Sequence, residues 1–245
     1  MAYEKYKVMS NAKVPPEIAP SLRDSGNIHL TPFEDRNEIL TNPGLQMETG
    51  FGKMKNGDYL VSMYCPMPGM TKEMIDWWFW WHPQADERYQ LWFPGEHFSI
   101  KTEKKDADYF SGDVTPPFRP VTHYPTERVG SMRMPLRIDF VTPEQFGFSP
   151  EIMRKQQVST VVCGHVGAFR GAIYHTEMAH IYFEREDGLF MVSRFWIGRL
   201  MKNSLLRKAI LTEDMARGMA THCCVEYRNL AAKLPRLYRE VNGNG

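Results

Sequence analysis

Residues 212–241, TEDMARGMATHCCVEYRNLAAKLPRLYREV, predict one long helix near the end of the chain. Thr212 is a good N-cap, and Glu213 and Asp214 stabilise the positive end of the helix dipole. Pro235 has no amide hydrogen to donate inside a helix, so we expect a kink or an end there. Because this helix follows a run of predicted strands, the order of elements favours an α+β fold, in which a curved antiparallel sheet grips a helix around a cavity.

The strands are predicted from alternating polarity and from aromatic or β-branched runs between turn residues. They cover residues 56–69, 89–93, 97–102, 128–141, 158–169, 177–186 and 189–198. The Asp187-Gly188 turn joins the last two strands as a hairpin. Two further helices are predicted, one between the N-cap Thr71 and Pro83, the other over residues 199–210.

The domain organisation follows from length and composition. The chain has 245 residues without a break in composition, which predicts a single domain. Residues 1–45 are polar and punctuated by prolines, so we expect an arm that wraps the domain. The single domain is then residues 46–245, and a chain of this length buries roughly 70% of its surface without needing disulfides.

Composition excludes several classes of partner. The 30 Lys and Arg residues nearly balance the 29 Asp and Glu residues, which argues against nucleic acid and anionic membranes as partners. The N-terminus carries charges where a signal peptide needs an apolar core, and no apolar run reaches membrane-spanning length. The four cysteines lack paired C-x-x-C spacing, so we expect reduced thiols in a cytoplasmic protein. The 16 methionines and many aromatic residues suit either a small apolar ligand or a well-filled core.

The sharpest chemical signal is the pair His222 and Glu226 on the predicted final helix. Residues four apart project from the same face, close enough to grip one ion. On an exposed helix the same spacing is a common solvated ion pair. Apolar neighbours on more than one side, such as Met219 and Val225, predict that the pair is at least partly buried. A buried Glu must be paired, protonated or bound to a cation.

Two more candidate ligands, His97 and Glu127, stand at the starts of predicted strands beside loops that contain proline. Rigid scaffolds tend to present binding groups at such positions, although a Glu at a strand end is more often a surface residue. Imidazole together with carboxylate suits zinc, with Fe²⁺ or Mn²⁺ as weaker options. The prediction is one divalent ion per chain.

Several short motifs occur together in an order that resembles a known family. They are DWWFWWHP, RYQLWFPGEH, PTERVG, SRFWIG and the helix pair His222 and Glu226. Over residues 45–235 the chain resembles the 2,4-diacetylphloroglucinol hydrolase family, to which phloretin hydrolase belongs. The resemblance implies a helix-grip fold of the Bet v 1 type. It also implies a zinc ion bound by two His and two Glu, here His97, Glu127, His222 and Glu226.

The resemblance also implies roles for residues around the ion. Tyr89 occupies the place of a tyrosine that binds a phenolic hydroxyl, and His165 aligns with a pocket histidine. Each is equally well explained without a function, as a half-buried strand tyrosine and a satisfied core histidine. The family's polar amide after the first ligand is missing, since Ser99 and Ile100 stand there, and this departure concerns the substrate rather than the metal. The chain also looks shorter than the bacterial enzymes between Glu127 and His222.

The tryptophan-rich helix has four tryptophans among residues 77–81. Tryptophans this close encircle a helix, so some must pack on the sheet and others on the arm or on a partner subunit. This pattern is compatible with an aromatic ligand box, but core packing or a homodimer interface is the better interpretation. His82 ends this helix, where a cationic side chain favours the dipole. His123, His175 and His180 have no partner at a diagnostic spacing.

The sequence thus leads to one main hypothesis and two rivals. As the resemblance implies, the protein is a zinc-dependent hydrolase that cleaves the carbon-carbon bond between an acyl group and a polyhydroxylated aromatic ring. Tyr89 would orient this small phenolic substrate, and Glu226 or His165 would relay the proton. One rival is a lyase, cyclase or decarboxylase on the same scaffold, acting on a natural product. The other rival is a metal-free carrier of an aromatic ligand.

Overall fold

A computed structural model describes residues 3–112, 115 and 119–243 as a nine-stranded antiparallel sheet and a long final helix. The strands follow the order β1-β2-β9-β8-β7-β6-β5-β3, and β4 pairs with β6. Their bounds are β1 Gly50–Lys53, β2 Tyr59–Pro68, β3 His97–Ser99, β4 Thr122–His123, β5 Thr126–Val129, β6 Met132–Val141, β7 Val158–Ala168, β8 Ile173–Arg185 and β9 Gly188–Ile197.

Eleven α-helices are assigned within the described ranges, most of them short. They are α1 Glu4–Lys7, α2 Ala19–Arg23, α3 Glu38–Thr41, α4 Pro43–Gln46, α5 Lys72–Trp81, α6 Asp86–Trp92, α7 Ala107–Phe110, α8 Pro143–Phe146, α9 Pro150–Lys155, α10 Ser204–Ile210 and α11 Glu213–Asn242. No helix in this part of the chain combines the length and the hydropathy needed to span a bilayer.

The final helix α11 packs on the inner face of the sheet, against β1, β2 and β5. Thr212 caps it as predicted, with its side chain accepting a hydrogen bond from the Met215 amide. This arrangement confirms the α+β, helix-grip prediction. Of the two outcomes predicted at Pro235, an end of the helix is wrong, because the helix continues to Asn242, and a kink stays a prediction. Burial of Leu234 and Leu237 holds the helix in place on both sides of the missing amide hydrogen.

Both faces of the sheet are covered by apolar side chains. The inner face packs on α5, α6 and α11, while a second cluster on the outer face includes Ile39 and Leu40 from the N-terminal segment and Phe146 and Phe148 after β6. The segment 3–45 therefore contributes buried residues to the outer cluster. The boundary between an arm and a domain at residue 45 stays a prediction.

Two predicted strands are wrong. Residues 89–92 form the second half of the helix α6 rather than a strand, Phe93 is its C-cap, and Tyr89, Leu91 and Trp92 are buried. A five-residue apolar run fits either structure, and here tertiary packing decides for the helix. The predicted strand 128–141 is the hairpin of β5 and β6, and Gly130 supplies the positive φ of its turn.

The tryptophans of α5 are all buried within the single chain, at most 4% exposed. Trp77 stacks on Trp81 and meets Tyr238 of α11 edge to face, and Tyr3 of the N-terminal segment packs against Trp81. The helix therefore presents no exposed aromatic face. The predicted homodimer rests on an exposed aromatic surface of this helix, and that surface is buried within the chain. The homodimer stays a prediction.

Candidate metal centre and cavity

The first two candidate ligands face each other across a strand pair. His97 begins β3 directly after the turn at Gly95, whose φ is +86°, and His97 pairs in register with Glu127 of β5. Their Nε2 and Oε2 atoms are 3.7 Å apart. Both residues are buried. The strand register, which the sequence does not reveal, brings them together.

The final helix supplies the other two. His222 and Glu226 lie one turn apart on α11, with Nε2 and Oε2 3.9 Å apart. The other carboxylate oxygen of Glu226 lies 3.4 Å from Nε2 of His97. Ligand atoms of His97, His222 and Glu226 all lie within 4.8 Å of one another, which makes these three residues a possible metal site. Glu127 adjoins this group through His97.

The tautomer of His97 suits a cation. Nδ1 of His97 lies 3.3 Å from the Tyr89 carbonyl oxygen. A carbonyl only accepts, so the proton of neutral His97 belongs on Nδ1 and its Nε2 carries a lone pair. Nε2 of His97 and Nε2 of His222 are each buried and have no hydrogen-bond partner among the residues that the structure describes. Lone pairs that face carboxylates at 3.4 to 3.9 Å are the arrangement a metal ion requires.

Burial determines the charges of the site in the absence of an ion. It lowers the pKa of His97 and of His222 to about 4, so both rings are neutral at pH 7. Burial also raises the pKa of Glu226 to about 8; His222 opposes this rise and Glu127 adds to it. Each group avoids charge because burial removes it from water, which disfavours the charged form.

Tyr89 lies beside the cluster on α6. Its hydroxyl donates to Oε2 of Glu127 at 2.5 Å, and its ring stacks on His97 with centroids 4.1 Å apart. Burial, together with the Glu127 carboxylate, raises the pKa of Tyr89 well above its usual value. The tyrosine thus remains protonated and holds Glu127 in place.

His165 lies apart from both the ligand cluster and the cavity. It pairs in register with Asp139 and Glu177 on the outer face of the sheet, and its Nδ1 lies 2.6 Å from Oε2 of Glu177. That contact raises the pKa of His165. Side chains alternate between faces along a strand, so its neighbours Gly164 and Val166, rather than His165, are on the cavity side. We therefore do not retain His165 as the proton relay.

A cavity extends from the cluster between α11 and the sheet. The volume open to the centre of a water molecule is about 70 Å³. Its walls are mostly apolar and include Ile100, where the resembled family has an amide. Its polar lining includes four histidines to which the sequence assigns no role in the site: His82, His123, His175 and His180.

Only the register of the sheet shows that these histidines face the same cavity. His123 of β4 pairs with Ile138 of β6, and both line the cavity. On β8, Thr176, Met178 and His180 alternate into the same space. Spacing along the chain alone gives no partner for any of them.

Comparison with known proteins finds a family model and relatives that match most of this chain. A family model described as the DAPG hydrolase PhiG domain matches residues 30–239. Phloretin hydrolase of Eubacterium ramulus is 33% identical over 258 aligned positions, which cover 98% of this chain and 90% of that protein. A 2,4-diacetylphloroglucinol hydrolase of Pseudomonas protegens is 31% identical, over 86% of this chain and 74% of that protein.

Among solved structures the similarity is more distant. Ara h 8.0201 aligns with 73% of this chain and 98% of its own, at a TM-score of 0.44 and 8% identity. Protein CV1439 from Chromobacterium violaceum aligns with 74% of this chain and 99% of its own, at a TM-score of 0.40 and 10% identity. Similarity at this level adds nothing to the functional argument.

Proposed function

This chain belongs to the 2,4-diacetylphloroglucinol hydrolase family, and we propose that it is a zinc-dependent hydrolase of acylated polyhydroxy-aromatic rings. The bond cleaved would be the carbon-carbon bond between the acyl carbonyl and the ring. The observation that carries the proposal is the meeting of two Nε2 atoms, unpartnered among the described residues, with the carboxylates of Glu127 and Glu226 beside an apolar cavity.

The spacing of the four side chains supports zinc. Zinc bonds of about 2.0 to 2.1 Å at tetrahedral angles place neighbouring ligand atoms roughly 3.4 Å apart. The separations are 3.4 Å between His97 and Glu226, 3.7 Å between His97 and Glu127, and 3.9 Å between His222 and Glu226, all within about 0.5 Å of that value. Glu127 lies outside the group of three residues whose ligand atoms are all within 4.8 Å of one another. We propose His97, Glu127, His222 and Glu226 as the ligands of one ion per chain. A bound zinc ion supplies Lewis acidity, which polarises an acyl oxygen.

The protein residues have the remaining tasks. Hydrolysis adds hydroxide to the acyl carbon and a proton to the ring carbon, so a carboxylic acid and a phenol are released. Glu226 borders the cavity beside the cluster, and we assign it the transfer of the proton to the ring carbon. The Tyr89 hydroxyl donates to Glu127, and its oxygen is left to accept a hydrogen bond from a phenolic hydroxyl of the substrate. Apolar walls hold the ring and keep bulk water out.

Metal content and turnover, measured together, test this proposal. His222→Ala should lose zinc and should also lose the release of carboxylic acid from a diacylphloroglucinol. The exposed His29 provides the matched control, because His29→Ala removes an imidazole far from the site and should change neither quantity. Full zinc occupancy in His222→Ala would disprove the ligand set.

The same assay separates the rivals. A lyase or cyclase on this scaffold would convert a substrate without releasing a carboxylic acid. The observation that favours this rival is Ile100, which lines the cavity where the resembled family has an amide. A carrier would bind phenols without stoichiometric zinc. We further propose a cytoplasmic location, which the four free, buried cysteines support.

A further inference from the structure

His82 lies in the short turn after α5 and lines the cavity without contacting the proposed metal ligands through a hydrogen bond. Its Nδ1 is 2.7 Å from the carbonyl oxygen of Trp78. Since a carbonyl only accepts, Nδ1 carries the proton and Nε2 of the neutral ring is an acceptor. That Nε2 has no hydrogen-bond partner in the described ranges. Burial lowers the pKa of His82 well below its usual value, which keeps the ring neutral.

His123 is the second buried imidazole in this part of the cavity. It is 2% exposed, and its pairing with Ile138 turns its side chain to the inner face of the sheet. Its Nε2 is fully buried without a partner among the described residues. Its ring neighbours are aromatic, with Phe140 at 4.9 Å and Phe110 at 6.2 Å between centroids. These neighbours offer the ring no hydrogen bond.

The two imidazoles form one end of a continuous row of rings. His82 meets His123 edge to face, with centroids 5.6 Å apart. On its other side His82 stacks with Tyr89 at 5.8 Å, and Tyr89 stacks on His97 at 4.1 Å. The row therefore runs from a proposed metal ligand, past the phenol of Tyr89, to two imidazoles that have unused hydrogen-bonding atoms. Nε2 of His123 is a buried polar atom without a partner among the described residues, which is costly unless a ligand supplies the missing bond. His82 lines the same cavity, where its Nε2 is free to accept a hydrogen bond from that ligand.

We propose that His82 and His123 are specificity-determining residues that bind ring hydroxyls of the substrate on the side away from the acyl group. The inference rests on the proposed function, which places the acyl oxygen at the His97 end of the row. Nε2 of His82 accepts a hydrogen bond from a hydroxyl, so it selects a hydroxyl over a hydrogen atom or a methoxy group. The substrate class narrows to rings that carry a free hydroxyl at the His82 and His123 end of the row, away from the acyl group.

Calorimetric binding of phloroglucinol, its mono-O-methyl ether and resorcinol to the zinc-loaded protein tests the inference without requiring turnover. The wild type should bind phloroglucinol about 10-fold more tightly than either analogue. His82→Asn keeps a donor for the Trp78 carbonyl but has no acceptor at the Nε2 position, so the wild-type preference should nearly disappear. His82→Gln places a polar atom near the Nε2 position and should recover part of the preference. His123→Phe should reduce it as well.

Zinc content serves as the internal control, because it should stay at the wild-type value in all three variants. The inference is overturned if the wild type binds the three ligands equally, or if His82→Asn and His123→Phe both keep the full preference. The wild-type comparison remains decisive even where a variant fails to fold. A wild type that shows the preference but releases no carboxylic acid from acylphloroglucinols would refute the proposed hydrolysis and leave this inference standing.

Discussion

The two faces of the sheet each hold a cluster of histidine and carboxylate. The clusters differ in the distance between the imidazole nitrogen and the carboxylate oxygen. On the outer face, Nδ1 of His165 and Oε2 of Glu177 are 2.6 Å apart, a direct hydrogen bond. On the inner face, the closest approach between imidazole nitrogen and carboxylate oxygen is 3.4 Å, for His97 and Glu226. The inner imidazoles thus approach the carboxylates without forming a short hydrogen bond like that of the outer pair.

Burial sharpens the contrast. The His165 side chain is 35% exposed, so water and Glu177 together satisfy it, and the contact raises its pKa. The His97 side chain is fully buried, and burial lowers its pKa to about 4. The difference teaches that residue types do not define a metal site. Two buried Nε2 atoms that have no hydrogen-bond partner among the described residues distinguish the inner cluster from an ordinary ion pair.

Among the changes that test the difference between the two clusters, removal of zinc is expected to have the largest effect on the free energy of unfolding. A ligand that binds only the folded state stabilises it by about 4 kcal/mol when its free concentration is a thousand times its Kd. Denaturant unfolding of the zinc-loaded and the chelator-treated protein should show a difference of that order. His165→Gln, which alters the outer cluster, should keep this difference, whereas His222→Ala should abolish it. An equal zinc effect in His222→Ala would place the ion elsewhere.

Tyr89→Phe should have an intermediate effect. The change removes the hydroxyl that donates to Glu127 but keeps the ring that stacks on His97. Loss of a group that orients a ligand typically lowers metal affinity 10- to 100-fold, so a shift of about that size is expected in a competition assay with a chromogenic chelator. Tyr124→Phe is the matched control, because that hydroxyl donates to Glu103 instead. Unchanged affinity in Tyr89→Phe would mean that Glu127 needs no such support.

The outer pair should show the smallest effect and a pH dependence of its own. The folded-state pKa of His165 is raised by Glu177, so its stabilising contribution is fully present below the unfolded value of about 6.5. The contribution is lost as the pH rises through the folded-state pKa. His165→Gln should therefore cost about 0.5 to 1 kcal/mol near pH 5.5 and less at pH 8.5, as measured by urea unfolding. A cost that grows with pH would contradict the assignment.

The helix part of the site is the most predictable from sequence. The spacing of His222 and Glu226 on a capped, amphipathic helix is enough to place both side chains on one face. His97 and Glu127 need the resemblance, because only the strand register places them opposite each other. The fold can be predicted from the order of strands followed by one long helix.

The wrong predictions share a physical cause. The local sequence pattern does not determine whether a short segment forms a helix or a strand, or which face of the sheet a side chain lies on. The run at Tyr89 forms a helix because tertiary packing outweighs its strand propensity. The resemblance puts His165 in the pocket, although alternation along β7 turns it outward. His82 and His123 have no role that the sequence could reveal, since their shared cavity exists only after the β4–β6 pairing and the end of α5 come together.

X-ray absorption at the zinc edge of the loaded wild type tests the central claim most directly. Coordination by His97, Glu127, His222 and Glu226 predicts a shell of nitrogen and oxygen only, at about 2.0 to 2.2 Å, with imidazole scattering beyond it. Sulfur scatterers at about 2.3 Å would show that cysteines hold the ion, and the account of the inner cluster would be wrong.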